Sequence, residues 1–494
     1  MYWRSGWVQL VFVVLTLIAV SLFRFSTAAH AQEKSAAVHA AATEATSFYN
    51  PIVPDLADPS VLLYNGFYYF TYSDVSNNIY VMKSSQLSRL GDGAVATVWT
   101  HPASGDSCCE VWAPELKLIN GTFYIYFAAD DGNNNNHRMY TLQADTGDPQ
   151  GSYTFRGKVS APTDRWAIDG IPVQQGSSLY FLWSGWDSFD NVQQNLYIAP
   201  MSNPYTISGE RVLISAPDQS WEQVTGPLHI NEAPQALYRN GKIFVTYSAN
   251  GSTTDEYCLG MLTASDSANL LDPNSWSKSN GPVFSKVDTA YGPGTNAFTT
   301  SPDGTQDWLV YNATVLSGNG STDNWKNRSI RAQQFTWDSN GNPVFGSPAL
   351  ITTPLARPSG EQPTTLRYEA ELAKINDAFI NTRTGEHTTR QAASHDQDVG
   401  RIDNPDSYVE FTVTMTNAGT YTVTEGYSNG FNVTASHNVI VNGQSGGLTT
   451  LPGTGAWNSY GTASIQVNLN AGDNTIRLAK GDNWAEIDYI ELPM

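Results

Sequence analysis

The stretch LYNGFYYFTYS, residues 63–73, contains the pattern that decides the fold. Its Asn-Gly pair is the strongest short signal for a β-hairpin, and the aromatic and β-branched run behind it is typical of a strand. Four more segments repeat this arrangement: LINGTFYIYFA from residue 118, QQGSSLYFLWS from 174, LYRNGKIFVTYS from 237 and SPDGTQDWLVYN from 301. The sequence therefore predicts five related hairpins.

The turn glycines of these hairpins recur at intervals of 55, 55, 65 and 63 residues; they are Gly66, Gly121, Gly176, Gly241 and Gly304. A hairpin that returns at this spacing, with more strand-like sequence between, is typical of the blades of a β-propeller. A large β-sandwich is the alternative, but a sandwich has no reason to repeat so evenly. We predict an all-β fold in which a five-bladed β-propeller occupies residues 45–351.

The rest of the chain predicts a second β domain. Residues 352–365, TTPLARPSGEQPTT, are rich in Pro, Thr and Gly and read as a linker. Residues 366–494 have about the length of one β-sandwich and alternate strand-like runs with Asn-Ala-Gly and Asn-Gly turns. We expect a β-sandwich of the jelly-roll type.

The N-terminus predicts export from the cell. Arg4 precedes a mostly apolar run, residues 7–23, and Ala29-His30-Ala31 offers a cleavage site, so residues 1–31 are interpreted as a signal peptide. A membrane anchor is the alternative, but the run is short for a span and the cleavage signal follows closely. We therefore expect a secreted protein that no membrane retains.

Six Asn-x-Ser/Thr sequons agree with an extracellular route and predict a glycoprotein. They lie at Asn120, Asn250, Asn312, Asn319, Asn327 and Asn432.

The three cysteines are too few for a disulfide scaffold: Cys108 and Cys109 could bridge each other, or one of them could pair with Cys258.

The net charge of −20 restricts the partners. Nucleic acid is excluded because its phosphates demand Lys and Arg, and polyanions such as demethylated pectin are disfavoured because like charges repel. A neutral partner is favoured. The 12% of aromatic residues suits stacking on sugars, but it suits a β-rich core equally well.

Three acids occupy comparable places ahead of three of the hairpins. Asp58, Asp169 and Glu232 lie eight, seven and nine residues before the turn glycines of the first, third and fourth hairpins, and each is followed shortly by a proline. The first strand of each propeller blade lines the central channel, so we expect the three carboxylates to meet at one end of it. A solvated turn residue is the alternative for each acid alone, and a cation site is the alternative for the three together.

Clustered carboxylates fit glycoside hydrolysis. Close acids repel one another, and this repulsion moves their pKa values apart. Hydrolysis of a glycoside needs that separation, because one acid must hold a proton for the leaving oxygen while another stays ionised to activate water or attack carbon.

The second and fifth hairpins carry different residues near this place. In WAPELKLING, Glu115 has another spacing and is interpreted as structural support, while Trp112 is expected to form a wall of the pocket. In the fifth hairpin Thr295 and Asn296 stand where an acid would be expected, which indicates polar binding groups.

Five motifs in order resemble glycoside hydrolase family 43, the five-bladed propeller arabinofuranosidases, arabinanases and xylosidases. They are ADPSV at 57–61, WAPEL at 112–116, AIDGIPV at 167–173, NEAPQ at 231–235 and GPGTNAFT at 292–299. Together they extend over about residues 48–350.

The resemblance implies an inverting mechanism that needs no cofactor. Asp58 is expected to be the general base, Glu232 the general acid, and Asp169 the residue that holds and tunes this acid. The resemblance also implies that an arginine of the last blade, assigned to Arg331, lies near the acids. Family members often carry a histidine where this chain has Thr295, so a metal ion in the propeller is doubtful.

The C-terminal domain resembles the carbohydrate-binding modules of families 6 and 35. The likeness rests on YEAE at 368–371 and EIDYIEL at 486–492. Glu369 and Glu371 are two residues apart, so on a strand both face one side, and with Asp488 they are predicted to bind Ca²⁺. A solvated strand face is the alternative.

Sugar contact in this module is assigned to Tyr408, Trp457 and Asn483, an aromatic platform with a polar neighbour. Trp484 is interpreted as a core residue instead.

We therefore predict a secreted, monomeric, exo-acting α-L-arabinofuranosidase that acts on arabinan or arabinoxylan of plant cell walls. A β-xylosidase is the nearest alternative, since the same acids serve both sugars in the family. A non-catalytic sugar-binding protein is the alternative of another class, although a pure binder has no need to cluster three carboxylates.

Overall fold

The structure, a computed structural model, describes residues 46–191, 193–318, 327–383 and 393–494. The predicted signal peptide and the sequon at Asn319 lie outside these ranges. Regular structure in the described ranges is almost entirely β-strand. No helix found there has the length and apolar character that crossing a membrane requires.

Five antiparallel units follow a short first strand, β1 (Ser47–Phe48). Unit 1 contains β2 (Ser60–Tyr64), β3 (Phe67–Ser73), β4 (Ile79–Ser84) and β5 (Ala94–Trp99). Unit 2 contains β6 (Cys109–Ile119), β7 (Thr122–Asp130), β8 (Arg138–Ala144) and β9 (Tyr153–Val159). Unit 3 contains β10 (Ala167–Gln175), β11 (Ser178–Gly185), β12 (Gln193–Asn203), β13 (Thr206–Ile207) and β14 (Val212–Ser215).

The last two units have the same plan. Unit 4 contains β15 (His229–Arg239), β16 (Lys242–Ala249), β17 (Cys258–Ser265) and β18 (Ser277–Lys278). Unit 5 contains β19 (Tyr291–Thr300), β20 (Asp307–Thr314), β21 (Ser329–Trp337) and β22 (Pro343–Val344). A short parallel pairing of β12 with β15 joins units 3 and 4 into one sheet.

The five predicted hairpins are confirmed. In each unit the first two strands pair as an antiparallel hairpin around the predicted turn glycine. All five glycines have positive φ, and the asparagines at 65, 120 and 240 before three of them do as well. Two successive left-handed residues are what a tight two-residue hairpin turn requires, which explains the Asn-Gly pairs.

The units close on one another in a circuit. Each first strand contacts the first strand of the following unit, from β2 through β6, β10, β15 and β19, and β19 contacts β2 again. A buried apolar cluster lies between each pair of successive units. The cluster that contains Val61, Tyr68 and Trp308 joins the fifth unit to the first.

The predicted linker is partly attached to this circuit. A short strand within it, β23 (Leu355–Ala356), pairs antiparallel with β1. Glu361 accepts hydrogen bonds from the backbone N–H groups of Leu87 and Ser88 in unit 1. The stretch between the domains is therefore held along the first one.

The C-terminal domain consists of two sheets that share one apolar core. The first sheet contains β24 (Thr365–Glu369), β26 (Phe379–Thr382), β27 (Gln397–Gly400), β29 (Gly419–Ser428), β32 (Tyr460–Leu469) and β34 (Glu486–Pro493), and the second contains β25 (Lys374–Asn376), β28 (Tyr408–Met415), β30 (Ala435–Val441), β31 (Gln444–Leu451) and β33 (Gly472–Lys480). Side chains from both sheets, such as Val423 and Phe411, are buried between them.

Candidate active site

A residue with left-handed backbone recurs near the start of each first strand. These residues are Asp58 (φ 55°), Ala113 (43°), Asp169 (54°), Ala233 (49°) and Thr295 (34°). In units 2 to 5 the strand ladder shifts register at this place. A bulge of this kind bends the strand and re-aims its side chains, and bulges are frequent beside active sites. The fold therefore places a side chain that is re-aimed by an irregular backbone at equivalent points of successive units.

Three of these points carry the active-site acids, a name used below for Asp58, Asp169 and Glu232. Asp58 and Asp169 are themselves the left-handed residues, and Glu232 directly precedes the left-handed Ala233. The backbone N–H of Ala233 donates to Asp169 Oδ2 at 3.0 Å. The structure thus brings together the acids of units 3 and 4 through the peptide that follows Glu232.

Asp58 is held by two groups of unit 5. Its backbone N–H donates to Asn312 Oδ1 at 3.2 Å. Arg328 donates to the carboxylate through Nη1 to Oδ1 at 2.8 Å and through Nη2 to Oδ2 at 3.4 Å. The Asp58 side chain keeps 27% of its surface exposed, so solvent reaches a carboxylate that a guanidinium orients.

Glu232 lies in a drier environment, with 7% of its surface exposed. Burial raises the pKa of Glu232 to about 7; the Tyr257 hydroxyl, which donates to Oε1 at 2.8 Å, lowers it, and the charge of Asp58 raises it further. A carboxyl with this pKa holds a proton through slightly acidic pH, as a group that protonates a leaving oxygen must.

The pKa of Asp169 is raised well above its usual value, first by burial and then by the charges of Glu232 and Asp58. The 3.0 Å contact with the Ala233 N–H places Asp169 beside the peptide that follows Glu232. The centre can therefore hold a protonated carboxyl and, at Asp58, a carboxylate paired with arginine, which are the two states that acid–base hydrolysis uses.

The arginine beside the acids is Arg328, and the assignment of this role to Arg331 is wrong. Arg331 is completely buried; its Nη1 donates to the backbone oxygen of Thr289, and its charge acts on Tyr311 and on Asp396 of the C-terminal domain. The reason is where the strand begins. Strand β21 starts at Ser329, so Arg328 lies just before the strand and Arg331 lies within it.

Tyr257 is a site residue that the sequence analysis missed. It precedes β17, outside the repeated part of unit 4, and its hydroxyl lies 2.8 Å from Glu232 Oε1 and 2.9 Å from Thr295 Oγ1. A Cβ on Gly294 would come within 2.1 Å of the Tyr257 ring. The glycine before Thr295 therefore makes room for this tyrosine, which is a signal that the sequence contains.

Two further polar side chains lie on the first strands of units 5 and 2. Asn296 is fully buried, accepts from the Thr246 hydroxyl at 2.9 Å and has an unpartnered amide nitrogen. Glu115 is also buried; Gln235 donates to its Oε1, and the ammonium of Lys117 lies 3.0 Å from its Oε2. These contacts agree with a structural role for Glu115.

Trp112 lies at the bulge of unit 2 and is 37% exposed. Its ring stacks on His137 at a centroid distance of 4.0 Å. The adjacent Cys108 and Cys109, bonded to each other, lie at the start of the same strand, β6, which begins at Cys109, and Cys258 is a buried free thiol. The alternative of a bridge to Cys258 is therefore wrong.

The module acids, a name used below for Glu369, Glu371 and Asp488, do not share one strand face. Strand β24 ends at Glu369, and Glu371 lies in a short 3-10 turn after it. Glu371 Oε1 is bonded to Nδ1 of the buried His395, whereas Glu369 and Asp488 both accept from the Ser394 hydroxyl. The alternation argument fails because the strand stops one residue after Tyr368.

The predicted aromatic platform has different members. Trp457 stacks on Trp484 at 4.5 Å, and Phe431 meets both rings edge-on. Tyr408 does not join them; it lies on β28 under the guanidinium of Arg477. We call Phe431, Trp457 and Trp484 the loop aromatic cluster.

The prediction that Tyr408 belongs to the platform is wrong, and so is the prediction that Trp484 is a core residue. The sequence does not show this grouping because the rings of the loop aromatic cluster come from three separate loops. Asn483, directly before Trp484, donates from its amide to the backbone oxygen of Thr434 and so ties two of these loops together.

The sequons differ in accessibility. Asn250 and Asn312 are buried, and their side chains bond to Trp221 and Asp58, so a glycan on either is incompatible with this fold. Asn120 and Asn432 are exposed.

Two family models match the chain. The model of Glycosyl hydrolases family 43 matches residues 48–343, and that of Carbohydrate binding module (family 35) matches residues 366–494. The first range contains all three active-site acids, and the second contains the three module acids.

Curated proteins and a solved structure are similar to the chain. An extracellular exo-α-(1→5)-L-arabinofuranosidase of Streptomyces avermitilis is 36% identical over 389 residues, 75% of this chain and 78% of that protein. Alpha-L-arabinofuranosidase 43 of Humicola insolens is 36% identical over 73% of this chain and 75% of its own length. The crystal structure of an α-L-arabinofuranosidase from Lactobacillus brevis superposes with a TM-score of 0.58 at 36% identity, covering 62% of this chain and 98% of that one.

Proposed function

Since the chain belongs to family 43 of the glycosyl hydrolases, we propose that it is an exo-acting α-L-arabinofuranosidase that inverts the anomeric centre of its substrate. The observation that carries this proposal is the centre of Asp58, Asp169 and Glu232, in which Glu232 has a pKa of about 7 and Asp58 is paired with Arg328. The choice of sugar rests on relatives at 36% identity that are named arabinofuranosidases.

We propose that the five units are the blades of a five-bladed β-propeller over residues 45–351. The closed circuit of first strands and the apolar cluster that joins unit 5 to unit 1 support this architecture. The two packed sheets of residues 366–494 support a jelly-roll sandwich behind the linker at 352–365.

In the proposed mechanism the Glu232 carboxyl gives its proton to the leaving oxygen as the glycosidic bond breaks. Asp58 takes a proton from a water molecule, which attacks the anomeric carbon from the opposite face and inverts it. Arg328 keeps Asp58 oriented toward that water. Asp169 touches the peptide after Glu232 and acts through it, so it is a positioning residue.

Substrate contact at the mouth is proposed for Trp112. Its exposed ring is suited to stacking on a sugar. Asn296 is fully buried and is proposed to organise the channel below the sugar.

The C-terminal domain is proposed to bind the polysaccharide, arabinan or arabinoxylan of plant cell walls, through the loop aromatic cluster, with Asn483 holding the loops.

Two of the three module acids fit a Ca²⁺ site. Glu369 and Asp488 converge on the Ser394 hydroxyl. Burial and the charge of Glu371 raise the pKa of Glu369 to about 7, and burial and the charge of Glu369 raise the pKa of Asp488 well above its usual value. Carboxylate oxygens are the ligands that Ca²⁺ prefers. Added Ca²⁺ should raise, and EDTA lower, the melting temperature of this domain.

We also propose that the enzyme is secreted as a monomer and carries glycans, with Asn120 and Asn432 as the exposed acceptors among the described sequons. The extracellular relatives support the route. Mass spectrometry of the secreted protein tests it, since glycan found on the buried Asn312 would contradict the fold as described.

Paired substrates test the proposed activity. The 4-nitrophenyl α-L-arabinofuranoside and the 4-nitrophenyl β-D-xyloside release the same chromophore, so their kcat/KM values compare the sugars directly. We expect the arabinofuranoside to be preferred by at least roughly 100-fold, since a site built around one sugar leaves polar groups unpaired with the other. Preference for the xyloside would make the protein a β-xylosidase, and release from neither would leave a sugar-binding protein.

A further inference from the structure

A group of three possible metal ligands in unit 2 has no part in the proposed mechanism. Glu110 lies on β6, Asp130 ends β7, and His137 directly precedes β8. One ligand atom from each lies within 4.8 Å of the other two, and it is the only such group in the described ranges of the chain. Asp130 and His137 are fully buried, whereas Glu110 is exposed and can admit an ion from solvent.

The ring nitrogens of His137 have different neighbours. Nε2 lies 2.9 Å from the backbone oxygen of Glu110, and because a carbonyl can only accept, Nε2 carries a hydrogen. Nδ1 lies 3.1 Å from Asp130 Oδ2, but neither atom has a hydrogen bond of acceptable geometry. The other oxygen of Asp130 is satisfied by the N–H of Gly132. A buried nitrogen and a buried carboxylate oxygen thus converge without a donor between them.

We propose that Glu110, Asp130 and His137 bind one divalent first-row transition ion, for which Zn²⁺ is the probe. One imidazole nitrogen with two carboxylate oxygens is a donor set that Zn²⁺ accepts, whereas Ca²⁺ prefers oxygen alone. A metal-bound histidine usually donates its other ring N–H to a carbonyl or carboxylate, and Nε2 does so here. Glu110 also has left-handed backbone, φ 44°, at this point of β6.

The consequence concerns the mouth of the active site and rests on the proposed function. Trp112 stacks on the His137 ring with an angle of 26° between the planes. An ion on Nδ1 fixes the plane of the imidazole and with it the plane of Trp112. His137 is therefore a positioning residue for the sugar-stacking ring, and loss of the ion should raise KM and leave kcat nearly unchanged.

Zinc binding is tested on the full-length protein after removal of metal. The protein is titrated with Zn²⁺ in the presence of about 1 mM Ca²⁺, which keeps the proposed calcium site of the C-terminal domain filled. We expect one tightly held equivalent of zinc after gel filtration and a rise in melting temperature of at least about 2 °C. Glu110→Gln changes an exposed side chain and should fold normally while losing the zinc; Asp130→Asn should lose it as well.

A matched control exists in the C-terminal domain. His437 is also buried and bonds through Nδ1 to the buried Glu425, but no third carboxylate joins this pair in the described structure. His437→Gln should therefore leave the zinc content unchanged. Wild-type protein that binds no zinc, or Glu110→Gln protein that binds as much as wild type, would overturn the proposal.

The role of the ion is tested by kinetics on the same samples. Removal of zinc should raise KM for an arabino-oligosaccharide several-fold in wild-type protein and have no effect on Glu110→Gln. Equal KM values with and without zinc would overturn the positioning role of His137. Because zinc content is measured independently of turnover, failure of this inference is distinguishable from failure of the proposed hydrolase activity.

Discussion

The active-site acids and the module acids look alike from the sequence and differ in their partners. Each group contains three carboxylates, and burial with mutual repulsion raises pKa values in both: those of Asp169 and Glu232 in one, and those of Glu369 and Asp488 in the other. Clustered acids with raised pKa values are therefore no sufficient sign of catalysis in this molecule.

The partners separate the two groups. Glu371 is bonded to His395, and Glu369 and Asp488 share Ser394, so neighbouring groups of the same domain contact one oxygen of each acid. In the active site a phenol, a backbone N–H and an arginine each hold one acid in a particular orientation. Burial raises the pKa of Glu232 to about 7, whereas Asp58 is more exposed and paired with Arg328, and hydrolysis needs two acids in such different settings.

The largest effect that distinguishes the groups is on turnover. Asp58→Asn and Glu232→Gln should each lower kcat on an arabino-oligosaccharide by roughly 1,000-fold or more, since each removes a proton-transfer group. The same change in the other group, Glu371→Gln, should leave kcat within about twofold for folded protein, because that residue is not expected to touch the reacting sugar. A large loss of turnover in Glu371→Gln would remove the distinction.

The choice of leaving group separates the two catalytic roles. Nitrophenolate leaves without needing a proton, so Glu232→Gln should retain much more activity on the nitrophenyl glycoside than on the oligosaccharide. Asp58→Asn should be equally impaired on both, since water must be activated in either case. Equal losses for the Glu232 variant would contradict its role as the acid.

The next effect separates two arginines that lie three residues apart. Arg328→Met should lower kcat/KM by roughly 10- to 100-fold, since Asp58 loses the guanidinium that orients it. Arg331→Met, made in the same way, should leave the rate of folded protein nearly unchanged and alter only its melting temperature, because the guanidinium of Arg331 is buried and bonded to the backbone of Thr289. Rate loss confined to the Arg331 variant would restore the earlier assignment.

A smaller effect concerns stability against pH. The pKa of Glu232 is about 7 in the folded protein and 4.5 when unperturbed, so the folded state holds a proton that the unfolded state has released. Stability should then fall as pH rises from about 4.5 to about 7. Glu232→Gln should be more stable than wild type at pH 8, by up to about 3 kcal/mol, and equally stable at pH 4. Melting curves at pH 4 and pH 8 check this. A stability difference between wild type and variant that is the same at both pH values would contradict the raised pKa of Glu232.

The smallest effect concerns polysaccharide binding. Trp457→Ala should weaken retention on insoluble arabinan by roughly tenfold, about the effect of one stacking contact, and leave hydrolysis of soluble substrates unchanged. Tyr408→Ala should have no effect on retention, since Tyr408 lies under Arg477 on the second sheet. Binding that depends on Tyr408 and not on Trp457 would place the sugar on the sheet instead of the loops.

What could be predicted from the sequence depended on repetition. The turn glycines and the acids ahead of them recur in several hairpins, so position in one unit informs position in another. Arg328 and Arg331 occur once, and choosing between them needs the first residue of β21, which alternation alone does not define. Tyr257 lies in a connection outside the repeat, and only the close approach of Gly294 signals it.

The C-terminal domain shows the same limit. Trp457 stacks on Trp484, whereas Tyr408 lies under Arg477 on the second sheet, because sheet membership depends on long-range pairing. Glu371 was assigned to a strand face, but the strand ends two residues earlier. Both errors concern where an element ends or which sheet it joins, and short patterns carry little information on either.

The stereochemistry of the first product tests the central claim most directly. Proton NMR during the first minutes of hydrolysis of an α-arabinofuranoside detects the anomer released before mutarotation equalises the two forms. If Asp58 activates water while Glu232 protonates the leaving oxygen, the β-anomer should appear first. Initial release of the α-anomer would show that a carboxylate attacks the sugar itself and would contradict the assignment of Asp58 as a base.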